Sequence, residues 1–270
     1  MSARIDRSSV LLTTLVALVA LAWLALWVWH ASPYGRYLNH AELAHFDLAR
    51  EPGEAASQAA VYVAGWVLMT AAMMLPTTFP LLEIFHRMTR QREDRLQLLA
   101  LVIAGYLGVW LLFGIAAHAF DLALHEAFER SGWLQANAWV FGAGPLLVAG
   151  GFQFTQLKYR CLDKCRAPLS FVVQHWRGAG ARAQALRLGA HHGAFCVGCC
   201  WALMLLMFAV GTGNLGWMLA LGALMAIEKN APWGRRISAP LGVALLLWGA
   251  AVMVNVAAAS PAETLVCRAR

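Results

Sequence analysis

Three cysteines stand within five residues of one another in an apolar stretch, residues 193–214, whose sequence is GAFCVGCCWALMLLMFAVGTGN. If this stretch is a membrane-spanning helix, Cys196, Cys199 and Cys200 share one face of its first turn and a half, because residues three and four apart are neighbours on a helix. Met204 follows on the same side one turn later. Thiolates and thioethers are soft ligands that suit Cu(I), or Zn(II) where thiolates dominate. The spacing therefore predicts a site for a soft metal or for thiol chemistry.

A second pair of cysteines has the spacing C-x3-C in a basic segment further upstream. On a helix this spacing also places two sulfurs on one face. Two methionines ahead of a proline, and a histidine one turn before the three cysteines, are further donors. The candidate metal ligands are therefore Cys196, Cys199, Cys200, Cys161, Cys165, Met73, Met74, Met204 and His192. The alternative is that cysteine and methionine simply fill an apolar core, which both do well.

The composition indicates that much of this chain lies outside water. Of its 270 residues, 60% are hydrophobic and 13% are charged, with a mean hydropathy of +0.59, whereas soluble domains carry about 25% charged residues. We expect one all-α domain over residues 1–270, a polytopic transmembrane helix bundle. Its spans, about seven by length and apolarity, are predicted at residues 10–29, 60–82, 96–120, 133–154, 194–211, 215–228 and 237–259.

The loops between these spans alternate between basic and acidic or neutral composition. Basic residues concentrate at the N-terminus and in the loops 83–95, 155–193 and 228–236. Because basic loops stay in the cytoplasm, we predict a bacterial inner-membrane protein with a cytoplasmic N-terminus. The net charge of +7 then orients the chain in the bilayer, and we expect no nucleic-acid partner. Five of the six cysteines, all but Cys267, fall at the cytoplasmic face, in a reducing compartment where disulfides are rare.

Several polar residues stand near the predicted span ends. Ionisable residues at membrane depth are functional candidates, but at a span end solvation is the simpler explanation. We therefore expect four of them to face solvent: Gln153, Lys158, Glu228 and Lys229. Five histidines fall on the predicted outer side, and the sequence leaves open whether they take part in metal binding: His30, His40, His45, His118 and His125.

Five tracts of the sequence carry a family resemblance. They are W-x2-M-x2-AMM-x-P at 66–76, AG-x2-Q-x-T-x-LK-x2-CL-x2-CR-x-P at 149–168, G-x2-C-x-GCCWALM at 193–204, G-x2-NLGWM at 211–218 and EK-x2-P at 228–232. In this order they resemble an uncharacterised prokaryotic family of predicted metal-binding integral membrane proteins. The resemblance implies a helical membrane protein that binds metal, and it implies no reaction. Gln156 and Gly213 depart from it, since the family pattern has proline and, more often, methionine there.

Taken together, these features predict an integral membrane protein that binds a soft transition metal, copper before zinc, at its cytoplasmic face. It would act in metal transport, delivery or buffering. The expected partners are the lipid bilayer, a metal-donor or metal-acceptor protein, and further copies or subunits of a membrane complex. The sequence has no phosphate-binding loop, dinucleotide fingerprint or Ser-His-Asp arrangement, which argues against an ATPase or a dehydrogenase.

Two alternatives remain open. A C-x2-C pair at a helix start suits a membrane thiol–disulfide oxidoreductase, because a helix N-terminus lowers the pKa of a thiol. The chain could also be an assembly subunit of a larger membrane complex in which the thiols are merely packed.

Overall fold

The computed structural model describes residues 7–32, 52–137, 139–178, 180–210 and 214–268, and these residues form helices joined by short turns, with no strand among them. The predicted all-α class is confirmed for this part of the chain. The helices are α1 (Arg7–Ala31), α2 (Pro52–Met74), α3 (Phe79–Met88), α4 (Arg95–Arg130), α5 (Gly132–Ala136), α6 (Trp139–Phe152), α7 (Gln156–Arg166), α8 (Pro168–His175), α9 (Ala181–Val210), α10 (Leu215–Asn230) and α11 (Ser238–Arg268). Short 3-10 helices occupy Pro76–Thr78 and Gly234–Ile237.

Four helical segments are long and apolar enough to cross a membrane: Thr13–Ala31, Arg95–Arg130, Ala181–Met207 and Gly234–Asn255. Two more, Val63–Met74 and Pro76–Met88, meet at a bend of 45° and form a fifth if they are one broken span. The predicted fourth span corresponds to a shorter apolar helix, Val140–Phe152, and the predicted sixth to the 16-residue α10. The count of seven spans and the cytoplasmic N-terminus stay predictions.

Two helices extend beyond their predicted limits. α4 continues to Arg130 through the acidic stretch that the sequence predicts as a loop, and the ion pair between Glu126 and Arg130 supports its last turn. α9 begins at Ala181, about four turns before Cys196. The prediction that the three cysteines lie in the first turn and a half of their helix is therefore wrong. Apolarity marks only the apolar part of α9, while the preceding basic residues are themselves good helix formers.

The bend after α2 has a simple cause. Pro76 has no backbone N–H to donate and cannot continue a helix without distortion. The carbonyls freed at the bend are satisfied locally, because the hydroxyl of Thr77 donates to the carbonyl of Met74 and that of Thr78 to the carbonyl of Leu75, both at 2.7 Å. The hydroxyl of Tyr106 also donates to Met74, at 3.2 Å. The bend places Met74 at its corner.

α9 is the central helix, and it packs against α4, α6, α7 and α10. Its approach to α4 depends on glycine, since a Cβ at Gly105 would overlap the carbonyl oxygen of Leu186, and one at Gly189 would overlap that of Val102. Small residues allow this kind of close approach between apolar helices. The contact holds α9 against α4 in the turns that precede Cys196.

Candidate metal centre

The sulfur atoms of three helices meet in the core of the molecule. α9 contributes its three cysteines, α7 contributes two and α2 contributes a methionine. All six are buried, with exposed fractions of 8% or less: Cys161, Cys165, Cys196, Cys199, Cys200 and Met74. None of the five cysteines is in a disulfide. The structure thus brings together six of the nine candidate ligands that the sequence predicts.

Hydrogen bonds along α9 keep its thiols on one face. The Sγ–H groups of Cys199 and Cys200 both donate to the backbone carbonyl of Cys196, at 3.1 Å and 2.9 Å. Bonds of this kind to a residue three or four positions earlier hold a short polar side chain against its own helix. The Sγ atom of Cys200 also lies 4.0 Å from the Sδ atom of Met74. The helix therefore fixes the direction of its sulfurs without help from a metal.

A lysine ammonium lies among these sulfurs. The Nζ atom of Lys229 is 2.8 Å from the Sγ atom of Cys196, 3.7 Å from that of Cys200 and 3.9 Å from the Sδ atom of Met74. The hydroxyl of Thr77 lies 3.5 Å from the same Nζ atom. Lys229 is only 4% exposed. The prediction that it faces solvent at a span end is therefore wrong.

The thiols of α7, Cys161 and Cys165, lie near Cys199 of α9. Cys165 is in hydrogen-bond contact with Cys199, and this bond, with burial acting in the same direction, raises the pKa of the Cys165 thiol well above its ordinary value. Burial and then the nearby Cys199 raise the pKa of Cys161. Both thiols are therefore less acidic than an ordinary cysteine. Gly198 makes room for them, since a Cβ there would lie 2.7 Å from the Sγ atom of Cys161.

A buried ion pair holds α7 in place. The Nζ atom of Lys158 lies 2.9 Å from both carboxylate oxygens of Glu228 and also donates to the amide oxygen of Gln153. The hydroxyl of Ser238 donates to the same carboxylate at 2.7 Å. Lys158 and Glu228 are at most 1% exposed, and Gln153 is fully buried. The expectation that these three residues face solvent is wrong as well, because each has a partner inside the helix bundle.

The three other predicted ligands, Met73, Met204 and His192, are also buried. Met73 packs against Gly222 of α10, and Met204 lies one turn beyond Cys200 in the same core. The ring of His192 stacks on Tyr106 and contacts the edge of Phe171. Its Nδ1 atom has no hydrogen-bond partner among the described residues. The role of metal ligand stays a prediction for these three, as it does for the other six.

Sequence reasoning missed Lys229, Thr77 and Tyr106. The hydroxyl of Tyr106 lies 3.0 Å from the Sγ atom of Cys196. A signal for Lys229 was present, since an adjacent acid and base at the end of a short apolar helix are functional candidates by location. No local sequence pattern identifies Tyr106 or Thr77, because these residues reach the sulfurs only through the packing of α4 and of the bend at Pro76.

The outer histidines do not form a comparable cluster in the part of the chain that can be described. His125 pairs with Asp121 one turn earlier on α4, with its Nδ1 atom 3.7 Å from the carboxylate. His30 lies in the last turn of α1. His40 and His45 lie outside the described residues. The question of their participation stays open.

Within the described ranges, no group of three or more His, Cys, Asp or Glu side chains is already arranged to hold a metal ion. The donor set nevertheless fits a soft monovalent cation. Two thiol sulfurs and one thioether sulfur surround a position that a positively charged group occupies. Sulfur ligands of this type select Cu(I) over hard cations.

Fold and site together define a helical protein with buried sulfur donors around a cation. The family model described as PpoB2, copper chaperone, matches residues 63–252, and the chain belongs to this family. The matched region contains all six clustered sulfur residues and Lys229. A search of curated proteins and a search of solved structures each return no match.

Proposed function

We propose that this protein is an integral membrane copper chaperone that binds Cu(I) at the buried cysteine and methionine cluster and delivers it to an acceptor. The observation that carries the proposal is the convergence of the Cys196, Cys200 and Met74 sulfurs on one buried cation position. Membership of a copper chaperone family supports copper as the cargo. The cluster offers only sulfur to the ion, which favours copper before zinc when thioether takes part.

The other three cysteines of the cluster, Cys199, Cys161 and Cys165, provide a path from the cation position toward α7. Cys199 is in contact with Cys165 on one side and with Cys196 and Cys200 on the other. An ion held by sulfur can move along such a path by exchanging one ligand at a time. Each thiol that binds the ion releases its proton to solvent, so binding and proton release are linked.

Location in a bacterial inner membrane, with the cysteines toward the cytoplasm, is part of the proposal. Its support is the four long apolar helices and the distribution of basic loops. A reducing compartment would keep the five described thiols free for metal. The bilayer and a copper-donor or copper-acceptor protein are the partners that this location implies.

The oxidoreductase alternative loses its main argument. It relied on a helix N-terminus to lower the thiol pKa, whereas Cys196 lies about four turns inside α9. The thiols are also buried, and a redox dithiol must be reached by its partner. The assembly-subunit alternative stays a prediction that a metal measurement will decide.

The test is retention of Cu(I) by detergent-purified protein under anaerobic, reducing conditions. Wild-type protein should keep about one copper per chain against a moderate chelator, and the triple variant Cys196→Ser, Cys199→Ser, Cys200→Ser should keep none. Cys267→Ser is the matched control, because this cysteine lies outside the matched region, and it should behave as wild type. Equal copper in the triple variant, with an unchanged size-exclusion profile, would refute the proposal.

A further inference from the structure

Lys229 is an unusual neighbour for a group of metal-binding sulfurs. Its ammonium is buried, and no carboxylate in the described part of the chain lies within ion-pair distance of it. The adjacent Glu228 is already paired with Lys158 and Ser238. An ammonium removed from water without an anion is strongly destabilised. The available countercharge is therefore the sulfur of Cys196, at 2.8 Å.

The position of Nζ is central among the sulfurs. Cys196, Cys200 and Met74 surround it from α9 and α2, at distances of 2.8 to 3.9 Å. A copper ion bound to the same three sulfurs would lie close to this point, so the ammonium and the metal cannot both occupy it. The lysine side chain has a flexible four-carbon stem. The hydroxyl of Thr77, 3.5 Å from Nζ, can accept a hydrogen bond from it if it withdraws.

We infer that the Lys229 ammonium occupies the cation position in the metal-free protein, withdraws toward Thr77 when copper binds, and then balances the charge of the copper–thiolate complex. This inference rests on the proposed function. Lys229 is thus a specificity-determining residue that makes the centre a site for a soft monovalent ion.

The charges explain the selectivity. One Cu(I) ion with two thiolates carries a net charge of −1, which the ammonium neutralises. One Zn(II) ion with the same two thiolates is neutral, so the ammonium beside it would be an uncompensated charge. In a buried site of low dielectric constant such a charge is costly. Lys229 therefore disfavours divalent ions through its charge, without being a ligand itself.

The experiment measures Cu(I) and Zn(II) affinities of purified full-length protein by chelator competition in detergent. Wild-type protein should retain Cu(I) and release Zn(II). The neutral variant Lys229→Gln should lower the ratio of Cu(I) to Zn(II) affinity by about tenfold or more, while Lys229→Arg, which keeps the charge, should restore a ratio close to wild type. Lys229→Leu is a second neutral variant for the case that glutamine does not fold, and a size-exclusion profile checks each protein.

Failure of this inference differs from failure of the proposed function. If wild-type protein binds copper at the cysteines but retains zinc equally well, the inference is overturned and the copper site still stands. This comparison needs no variant. An unchanged metal ratio in a folded neutral variant would overturn it too. Wild-type protein that binds no copper would refute the proposed function itself.

Discussion

The properties of the Cys196 thiol depend on the buried side chains that surround it, and not only on the presence of other sulfur atoms. In water a thiol with a nearby lysine would tend toward thiolate. In this core the donors are arranged by three different helices, and an ammonium, a hydroxyl and a second thiol all reach the same region. The geometry of the centre therefore depends also on Lys229 and Tyr106, which are not candidate ligands.

Tyr106→Phe tests one such residue. The hydroxyl lies 3.0 Å from the Sγ atom of Cys196 and also bonds the Met74 carbonyl, so it orients two of the three sulfurs. We predict a loss of Cu(I) affinity of about tenfold to a hundredfold, as is typical when a partner of a metal ligand is removed. The measurement is chelator competition, and Tyr159→Phe is the control, because its ring packs against the Arg235 guanidinium. Equal affinities in the two variants would contradict the prediction.

The thiol of Cys165 makes the metal-free protein sensitive to alkaline pH. Its pKa in the folded protein is raised above the ordinary value of 9.0. A group with a raised folded pKa stabilises the fold fully below its unfolded pKa, and this contribution is lost as the pH rises toward the folded value. We predict that the Tm falls above pH about 9, and that Cys165→Ala, which cannot titrate, shows a smaller fall. Parallel Tm curves for both proteins would argue against a neutral Cys165.

At the scale of helices, α9 depends on two close contacts, one with α4 and one with α7. The contact with α4 requires glycine, whereas α7 is held next to α9 indirectly, by the Lys158–Glu228 ion pair that joins α7 to α10. A buried pair of this kind is a poor source of net stability, but the loss of one partner leaves a buried charge without compensation. The pair therefore fixes the position of α7, and with it the positions of Cys161 and Cys165.

Gly105→Ala should weaken the packing of α4 on α9. The added methyl group would overlap the carbonyl oxygen of Leu186, and overpacking of this kind typically costs about 1 to 3 kcal/mol. Gly108→Ala is the matched control on the same helix, because nothing lies within 4 Å of its Cβ position. The control should be neutral or gain up to about 1 kcal/mol from helix propensity. Thermal unfolding in detergent compares the two, and equal Tm values would contradict the packing argument.

The sequence predicts the convergence of sulfurs but not the cation among them. Helical periodicity and loop charges are local signals, and they place the cysteine groups of α7 and α9 near each other. The position of Lys229 at the end of a predicted span indicates exposure to solvent. Its burial depends on how α10 packs against α2 and α9, and no local sequence pattern predicts that packing. The start of α9 was misplaced for a related reason, since apolarity ends at the basic residues while the helix does not.

For the whole molecule, the orientation in the membrane is the property on which the proposed biology depends. The cluster lies toward the end of α10 that precedes the basic turn Gly234–Ile237. The distribution of basic residues predicts that this end faces the cytoplasm.

Accessibility to a membrane-impermeant thiol reagent can test this orientation. In a Cys267→Ser background, Gln91→Cys lies in the turn between α3 and α4, and Gly132→Cys lies at the opposite end of α4. Both positions are exposed, while the five described native cysteines are buried. We predict labelling of the first in inverted vesicles and of the second in intact spheroplasts. The reverse pattern would place the metal centre toward the outside.

The burial of the sulfurs would limit the oxidative damage that free copper causes in a cell. None of the six clustered residues is more than 8% exposed, so a Cu(I) ion held there would be screened from dioxygen and peroxide, with which free Cu(I) generates radicals. The same enclosure means that the ion cannot leave by simple dissociation into solvent. In the proposed function helices would have to part before the ion is handed over, so the arrival of the correct acceptor, rather than the capture of copper, would set the pace of each delivery.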